Sequence, residues 1–504
     1  MVTVTYPGVY IQELPSGGHT IVGVSTSNTA FVDYFLRGPV STPTRVASFA
    51  EFQRVFGGLC LDSEGSYAVY QYFMNGGQIA TIVRLTDNAA NAQVELTTLD
   101  YTAAADLVVQ SANPGTWSNY LQVRVTYPSA AQGDPSRFNL FAQEVVNTQV
   151  LSQESYYNLT MDKTDPNYAT AVVNDASVLI RLNDENTLGT PLETEWVSLA
   201  GGSNGRTPSG DAATWATNLT NALTSAALST SHYNILCLPI TGLFTTETEA
   251  VLTAAQDACQ KARAFLLVDP PSSLTSVGDL QKWVQTTTIQ QTSDVRAFSA
   301  VYFPRLQIPD PLMQYRARNV GASGSVAGIY ARTDASRGVW KAPAGTDAGL
   351  SAAQVAQVLT NDDSGTMNQQ GLNALRNFPV IGSIVWGART LDGADEFASD
   401  YKYVPVRRLT SYIEMSLLNG TQWAVFEPND ETLWASLRVA VKDFMAPLAQ
   451  RGAFYNYFVR CDATTTTSID IDNGVCNIIV GFAPVKPAEF IVITIQQLAG
   501  QTAA

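Results

Sequence analysis

Ionisable side chains are scarce in this sequence: charged residues occupy 14% of 504 positions, where about 25% is usual for a soluble domain. A surface so poor in charge must be built from Ser, Thr, Asn, Gln and backbone, and it suits burial against other subunits, because charge is depleted at interface cores. Histidine occurs twice, at His19 and His232, so a zinc set made of clustered Cys and His is excluded. The five cysteines, Cys60, Cys237, Cys259, Cys461 and Cys476, are odd in number and lack C-x-x-C spacing. They read as reduced core residues rather than a disulfide framework. No apolar run approaches the ~18 residues that a membrane-spanning helix requires, and no basic stretch followed by an apolar one opens the chain. Synthesis and folding in the cytosol are therefore expected. No basic stripe exists to release phosphate counterions, so nucleic acid is not an expected partner. Apart from Thr464 to Thr467, repeats and low-complexity tracts are missing too.

What is there begins at the ends. MVTVTYPGVYIQEL alternates Val2, Val4 and Tyr6, breaks at Pro7-Gly8 and resumes with Val9 and Ile11. PAEFIVITIQQL places Ile491, Ile493 and Ile495 on one face at period two, with Phe490 and Val492 on the other. Termini fray unless something holds them. These two strands either pair within their own subunit, as short local connections favour, or complete the sheet of a neighbour. A twenty-residue arm reaches roughly 66 Å, against a radius of gyration of about 23 Å for a compact chain of this length. Reach therefore permits donation, and edge strands accept such additions.

A chain this long exceeds one core, so several domains are expected. Beyond Pro15 to Gly18, TAFVDYF and TRVAS read as strands. SFAEFQRVFGG reads as a helix with a capping box at Ser48 and Glu51 and a C-terminal Gly57. Thr- and Val-rich alternating runs such as LQVRVTYP then indicate an all-β module. From Gly201, helical stretches alternate with YNILCLPI, AFLLVDPP and SAVYFP, the pattern of an α/β domain with a mainly parallel sheet. The last third is α+β. Asp430 caps a long helix, 431–451, with Leu433, Leu437, Phe444 and Leu448 on its apolar face, Arg438 and Lys442 four apart on another, and Pro447 bending the final turn. The expected architecture is α/β plus α+β and multidomain: 1–20 an arm, 21–95 part of an inner or core region, 96–200 the β module, 201–350 the α/β domain, 351–487 an α+β inner domain, and 488–504 a second arm. Charge supports an outward-facing middle. Residues 86–300 carry nine Lys and Arg against twenty-one Asp and Glu, whereas the segments on either side are near neutral.

Catalytic constellations are thin. An α/β sheet carries sites at the carboxyl ends of its strands, and a hydrolytic triad would need His232, Asp269 and a serine, yet no G-x-S-x-G elbow accompanies them. Cys237 lies five residues after His232, on the opposite face of a strand and between two leucines, as an inert core thiol would. GGSNG at 201–205 lacks the Lys-Ser/Thr of a phosphate loop. Asp362-Asp363 and Asp269 read as loop acids without a calcium array. No metal or cofactor is implied.

Several stretches together carry a family signature: YPGVYIQELPSG (6–17), STSNTAFVDYFLRGP (25–39), FAEFQRVFGG (49–58), GSVAGIYARTDASRGVWKAPAG (324–345), VWGARTL, YVPVRRL, NGTQWAVFEPNDETLW and APVKPAEFIV. The chain resembles the tail sheath proteins of contractile phage tails and related contractile injection systems. That resemblance implies a non-enzymatic subunit that polymerises as stacked six-subunit rings around an inner tube and contracts from a metastable extended state. It implies a subtilisin-like topology for the α/β region without the corresponding activity. It also implies that the arms, Val2, Val4, Tyr6, Val9 and Ile11 at one end and Phe490, Ile491, Val492, Ile493 and Ile495 at the other, add strands to neighbours, with Pro15, Ser16, Gly17 and Gly18 as the joint. The implied partners are further copies of the chain, the inner tube, and baseplate and terminator or cap proteins, with assembly in the bacterial cytoplasm and no membrane insertion. Arg438 and Lys442 become candidates for contact with the tube, the alternative being a solvated charged face. The competing class is an α/β hydrolase-like enzyme with an unrecognised site.

Overall fold

The computed structural model describes residues 19–98, 107–128, 136–184, 189–244, 247–287, 289 and 293–494. They divide into a larger compact unit, Ser27–Ala335 with Pro343–Lys402, and a smaller one made of 19–26, Ser336–Ala342 and the chain from Tyr403 onward.

In the larger unit, β1 (Thr29–Tyr34) leads through β2 (Thr44–Val46), α1 (Phe49–Phe56) and α2 (Glu64–Met74) to β3 (Ala80–Leu85). The start of α1 is fixed locally. Ser48 Oγ accepts the Glu51 N–H at 3.1 Å, the Glu51 carboxylate accepts the Ala47 N–H at 2.8 Å, and Gly57 ends the helix at a φ of 92° that other residues resist.

The chain next enters a β module. A three-stranded antiparallel sheet contains β4 (Gln93–Leu96), β5 (Leu107–Ser111) and, later in the chain, β9 (Ile180–Asn183). A four-stranded one contains β6 (Leu121–Thr126), β7 (Arg137–Val146), β8 (Gln149–Thr160) and β10 (Val197–Ser198). Leu107 and Val109 of the first share one core with Leu121, Val123 and Leu140 of the second. One helix, α3 (Ala169–Ala176), interrupts a region read as wholly β; Val173 on it joins the same core. Entry and exit are tied together. Gln93 and Ala200 exchange backbone bonds of 2.8 and 3.1 Å, and Ala90 and Ser203 exchange two of 3.0 Å.

Past the module, α4 (Ala212–Thr224), α5 (Ala226–Thr230), β11 (Ile235–Cys237), α6 (Thr248–Ala262), β12 (Phe265–Val268), α7 (Val277–Thr286), α8 (Ser293–Arg296) and β13 (Ser299–Phe303) alternate as the apolar runs suggest. β14 (Leu306–Asp310), β15 (Arg316–Val320) and β16 (Gln354–Val355) form a small antiparallel sheet, and α9 (Ser323–Arg337) falls within this stretch. α10 (Asn361–Gln369), β17 (Asn373–Phe378) and β18 (Gly382–Val385) follow.

The main sheet has eight strands in the order β18-β17-β13-β12-β11-β1-β3-β2, parallel from β17 to β3 and antiparallel at both edges. Its central strands are buried on both faces, the condition under which a parallel sheet reads as continuous apolar sequence. The sheet is not confined to 201–350. β1 lies between β11 and β3, in the registers Thr29↔Ile235 and Thr29↔Ala80, so strands from residues 29–85 belong to the sheet. β17 likewise extends it from within 351–487. Parallel pairing joins segments far apart in the chain, and a local pattern gives no register for that.

The smaller unit contains α11 (Val404–Gly420), α12 (Glu431–Gln450), β19 (Phe454–Arg460), α13 (Ser468–Asp472) and β20 (Ile479–Pro484). Asp430 caps α12 by accepting from the Thr432 and Leu433 N–H groups at 2.9 and 3.0 Å. The helix runs through Pro447 to Gln450. Leu433, Leu437, Phe444 and Leu448 are all buried, each contributing roughly 1.5–3 kcal/mol of apolar burial.

Candidate assembly interface

FYNYFVR folds as a strand because Phe454 and Val459 reach the core shared with Ile413, Val441 and Met445. Between them Tyr455 and Phe458 are exposed, while Tyr457 is partly buried against the same core. β19 pairs with β20 in antiparallel register from Phe454↔Pro484 to Arg460↔Ile479, and neither strand has another neighbour among the described residues. Such a ribbon keeps a row of peptide groups on each outer edge for a further strand, and two strands alone are marginal.

Beyond β20 the backbone takes up no helix or strand over residues 485–494, and Phe490, Ile491, Val492 and Ile493 are 75–87% exposed. Four consecutive large apolar side chains left in water make an unpartnered patch, the mark of an interaction site. The strand expected there is thus not paired within the chain's own described residues. Val2, Val4, Tyr6, Val9, Ile11, Pro15, Ser16, Gly17, Gly18 and Ile495 lie outside the described residues.

From His19 to Thr26 the chain is tied to α11 and the short turn that follows it. His19 stacks on Trp423 with ring centroids 3.7 Å apart. Ile21 is buried against Gly420, where a Cβ would come within 2.5 Å of it. The Val24 N–H donates to Ser416 Oγ at 3.1 Å, and Arg408 donates to the Thr26 carbonyl at 2.8 Å. Both described ends of the chain therefore belong to one unit.

On α12 the two candidate cations differ. Arg438 is engaged within its subunit, donating to Glu431 Oε1 at 2.7 Å and to the Cys461 carbonyl; the bond to Glu431 holds its guanidinium above the ordinary value. Lys442 is exposed. The loop before α12 adds residues that the sequence did not single out: Val425 and Phe426 are exposed, Phe426 fully, at a φ of 70°. Strict alternation puts Tyr455 and Phe458 on opposite faces of FYNYFVR, and the strand carries a register shift between Phe454 and Asn456; nothing local marks Phe426 either.

The carboxyl ends of β1, β11 and β12, where an α/β enzyme would place its site, are closed. Asp33, Cys237, Asp269, Asp310 and Ser323 are buried there. Asp269 lies in the loop directly after β12, as expected, but it is buried. It accepts the Ser323 N–H at 3.0 Å and the Ser323 hydroxyl, and burial pushes its carboxyl up despite those bonds. Arg305 pairs with Glu64 at 2.9 Å, Arg318 lies 3.6 Å from Asp310, and the Tyr67 hydroxyl donates to Asp310 at 2.8 Å. His232 is exposed, and the hydrogen bonds of the Asp269 carboxylate go to Ser323. Cys237 is an inert buried thiol whose pKa is driven far up by burial. Asp362 and Asp363 lie in the first turn of α10, where Asp363 completes a capping box with Thr360. The polar cluster is a staple between strands and helices, not a cleft.

Two family models match. The phage tail sheath protein central domain covers residues 215–391 and the phage tail sheath C-terminal domain covers 396–497, together more than half of the chain. The chain belongs to the phage tail sheath family. It is 28% identical over 259 residues to the tail sheath protein of Vibrio phage KVP40, covering 47% of this chain and 37% of that protein. It is 26% identical to a putative prophage major tail sheath protein of Pseudomonas aeruginosa, covering 48% and 60%, and 27% identical to the tail sheath protein of Enterobacteria phage T4, covering 37% and 28%. The chain thus matches between about a quarter and three fifths of the length of these relatives. Among solved structures, the sheath of the extracellular contractile injection system PVC in its contracted state aligns over 99% of both chains, with a TM-score of 0.59 at 21% identity. The contracted helical sheath of the anti-feeding prophage gives 0.56 at 22%, covering 98% and 100%, and a sheath tail protein from Listeria innocua gives 0.61 at 14%, covering 92% and 96%. These likenesses establish a mixed α/β multidomain sheath fold. The family and its neighbours are structural assemblies and not enzymes, so the hydrolase-like alternative falls away. Neither family model covers the β module.

Proposed function

We propose that this chain is a structural subunit that polymerises into helically stacked hexameric rings around an inner tube and contracts from an extended, metastable state to drive the tube into a target cell. The observation that carries the reading is the pairing of an open β19–β20 ribbon with an exposed apolar run, Phe490 to Ile493, in a member of the tail sheath family. The run is chemically suited to complete the ribbon of another copy, and the N-terminal strand, Val2 to Ile11, is assigned the same role with Pro15 to Gly18 as its joint. A heterologous contact of that kind does not close on itself and so generates a helix. Added strands are held by main-chain bonds that can persist while globular bodies rotate, and contraction then draws on subunit contacts not made in the extended state rather than on nucleotide hydrolysis.

The α/β unit is assigned a subtilisin-like topology, and the acidic middle of the sequence is assigned to the outside. Lys442, more than the internally bonded Arg438, is the cation offered to the tube. Baseplate and terminator or cap proteins complete the particle, which assembles in the bacterial cytoplasm. No described helix is long and apolar enough to cross a membrane.

Electron microscopy of the purified chain, alone and mixed with its tube protein, tests this reading. Rings or tubes are expected; compact single particles under every condition would contradict it. Lys442→Glu is expected to weaken association with the tube severalfold in co-sedimentation while sparing tube-free polymers, and unchanged co-sedimentation would remove Lys442 from the contact.

A further inference from the structure

Two thiols in the smaller unit meet without being joined. Cys461 directly follows β19, Cys476 precedes β20, and their sulfurs are 3.7 Å apart. The approach is built into the loop between them. Thr465 Oγ1 donates to the Asn477 carbonyl at 3.1 Å, and the Asn477 N–H donates to Thr466 Oγ1 at 3.0 Å, so the two ends of the 461–477 excursion are cross-tied beside the cysteines. Asp462 organises the first turn by accepting from the Thr464 N–H at 2.8 Å and from its hydroxyl. Cys461 is fully buried with Leu433, Trp434 and Leu437, whereas Cys476 packs against that cluster and is only partly buried. The other three cysteines, Cys60, Cys237 and Cys259, are buried in the larger unit.

We propose that Cys461 and Cys476 are a dithiol that closes to an intramolecular disulfide when the chain meets a low-molecular-weight disulfide such as oxidised glutathione. Bonding contracts the sulfur separation to about 2.05 Å, a movement that side-chain rotation and a small loop adjustment supply. The accessible Cys476 thiolate attacks one sulfur of the reagent, forms a mixed disulfide and expels the first glutathione thiolate. The Cys461 thiolate then attacks the Cys476 sulfur and expels the second. The two cysteines lose two protons and two electrons, and one glutathione disulfide becomes two thiols. Burial pushes the Cys461 thiol up to about 12, which slows the second step without redirecting it. The bond pins the loop end of the β19–β20 ribbon to α12 through the Leu433–Trp434–Leu437 cluster. That this ribbon accepts a neighbour's strand rests on the sheath reading; the disulfide itself does not.

The test uses the full soluble chain, reduced and then incubated with oxidised glutathione at about pH 8, where exchange is efficient. Alkylation under denaturing conditions is expected to label three of the five cysteines after treatment and all five before it. The tryptic peptide that begins at Cys461 contains both partners and is expected to become lighter by two hydrogens, with full reversal by dithiothreitol. Cys476→Ser is expected to retain four alkylatable thiols and gain no cross-link. Because Cys461 is buried, Cys461→Ser is read only for its adduct, a stable mixed glutathione disulfide on Cys476. Five labelled cysteines after treatment, a persistent glutathione adduct on the unsubstituted chain, or a disulfide-linked dimer would each overturn the proposal. None of these readouts depends on polymerisation, so they stand apart from failure of the sheath reading.

Discussion

Arg84 shows how a single side chain can organise a turn. It lies on β3, is fully buried, and donates to the carbonyls of Phe35 at 2.8 Å, Gly38 at 2.7 Å and Leu36 at 3.1 Å. Burial lowers its pKa to about 10, so it remains charged at neutral pH. Arg84→Met would leave these acceptors without that donor inside the protein, and a loss of roughly 3–5 kcal/mol is expected in urea unfolding. A loss below about 1 kcal/mol would mean that solvent reaches the turn. Asp33 offers a pH test of opposite sense. Burial is the largest influence on it and holds its carboxyl well above the ordinary carboxylate range. A folded pKa above the unfolded one means that the native state binds the proton more tightly, so this group's contribution to stability falls as pH rises from the unfolded value toward the folded one and is constant beyond. The advantage of Asp33→Asn over the unsubstituted chain is therefore expected to grow with pH above about 3.8, by about 1.4 kcal/mol for each unit of displacement. A pH-independent difference in thermal melts would contradict it. Neither role was legible in the sequence, and nor was the burial of Asp269, whose partner Ser323 lies 54 positions away. Ser48, Gly57 and Asp430 were legible because a cap bonds to groups within a few residues of itself.

At the scale of elements, the long periodic segments were the readable ones. Helix α12, with its cap and buried leucines, and the strands 235–237, 265–268 and 299–303 follow from apolar spacing alone. The terminal run 490–493 carries the same alternation, but a strand exists only when paired, and pairing is a property of two segments. Ile491→Asp combined with Ile493→Asp isolates this point. Both side chains are exposed, so the folded subunit is expected to keep its stability within about 0.5 kcal/mol. Assembly is expected to be lost, because two carboxylates would have to be desolvated on one face of an added strand. Sedimentation of variant and unsubstituted chains checks both halves. A variant that polymerises normally would remove this run from the interface.

For the molecule as a whole, the β module is a separable insertion. Its entry and exit strands are bonded to each other at Gln93–Ala200 and Ala90–Ser203, and among the described residues its buried core draws on Ala92 to Leu199, with Arg37 reaching in to Glu144 at 3.0 Å. Replacing 94–199 by a short turn between Gln93 and Ala200 is therefore expected to leave the main sheet folded and polymerisation intact; a folded deletion that no longer polymerises would assign the module to the lattice. The main sheet was only partly legible because β1 and β3 reach it from the other side of this insertion, β1 pairing with β11 some 200 positions onward and β3 pairing with β1. The central claim, that copies are joined by terminal strands, is tested most directly by a cryo-EM map of the assembled particle at side-chain resolution. The expected result is Phe490 to Ile493 lying as a strand along the β19–β20 ribbon of a different subunit. A map in which that run, in every copy, pairs with the ribbon of its own subunit would contradict the account.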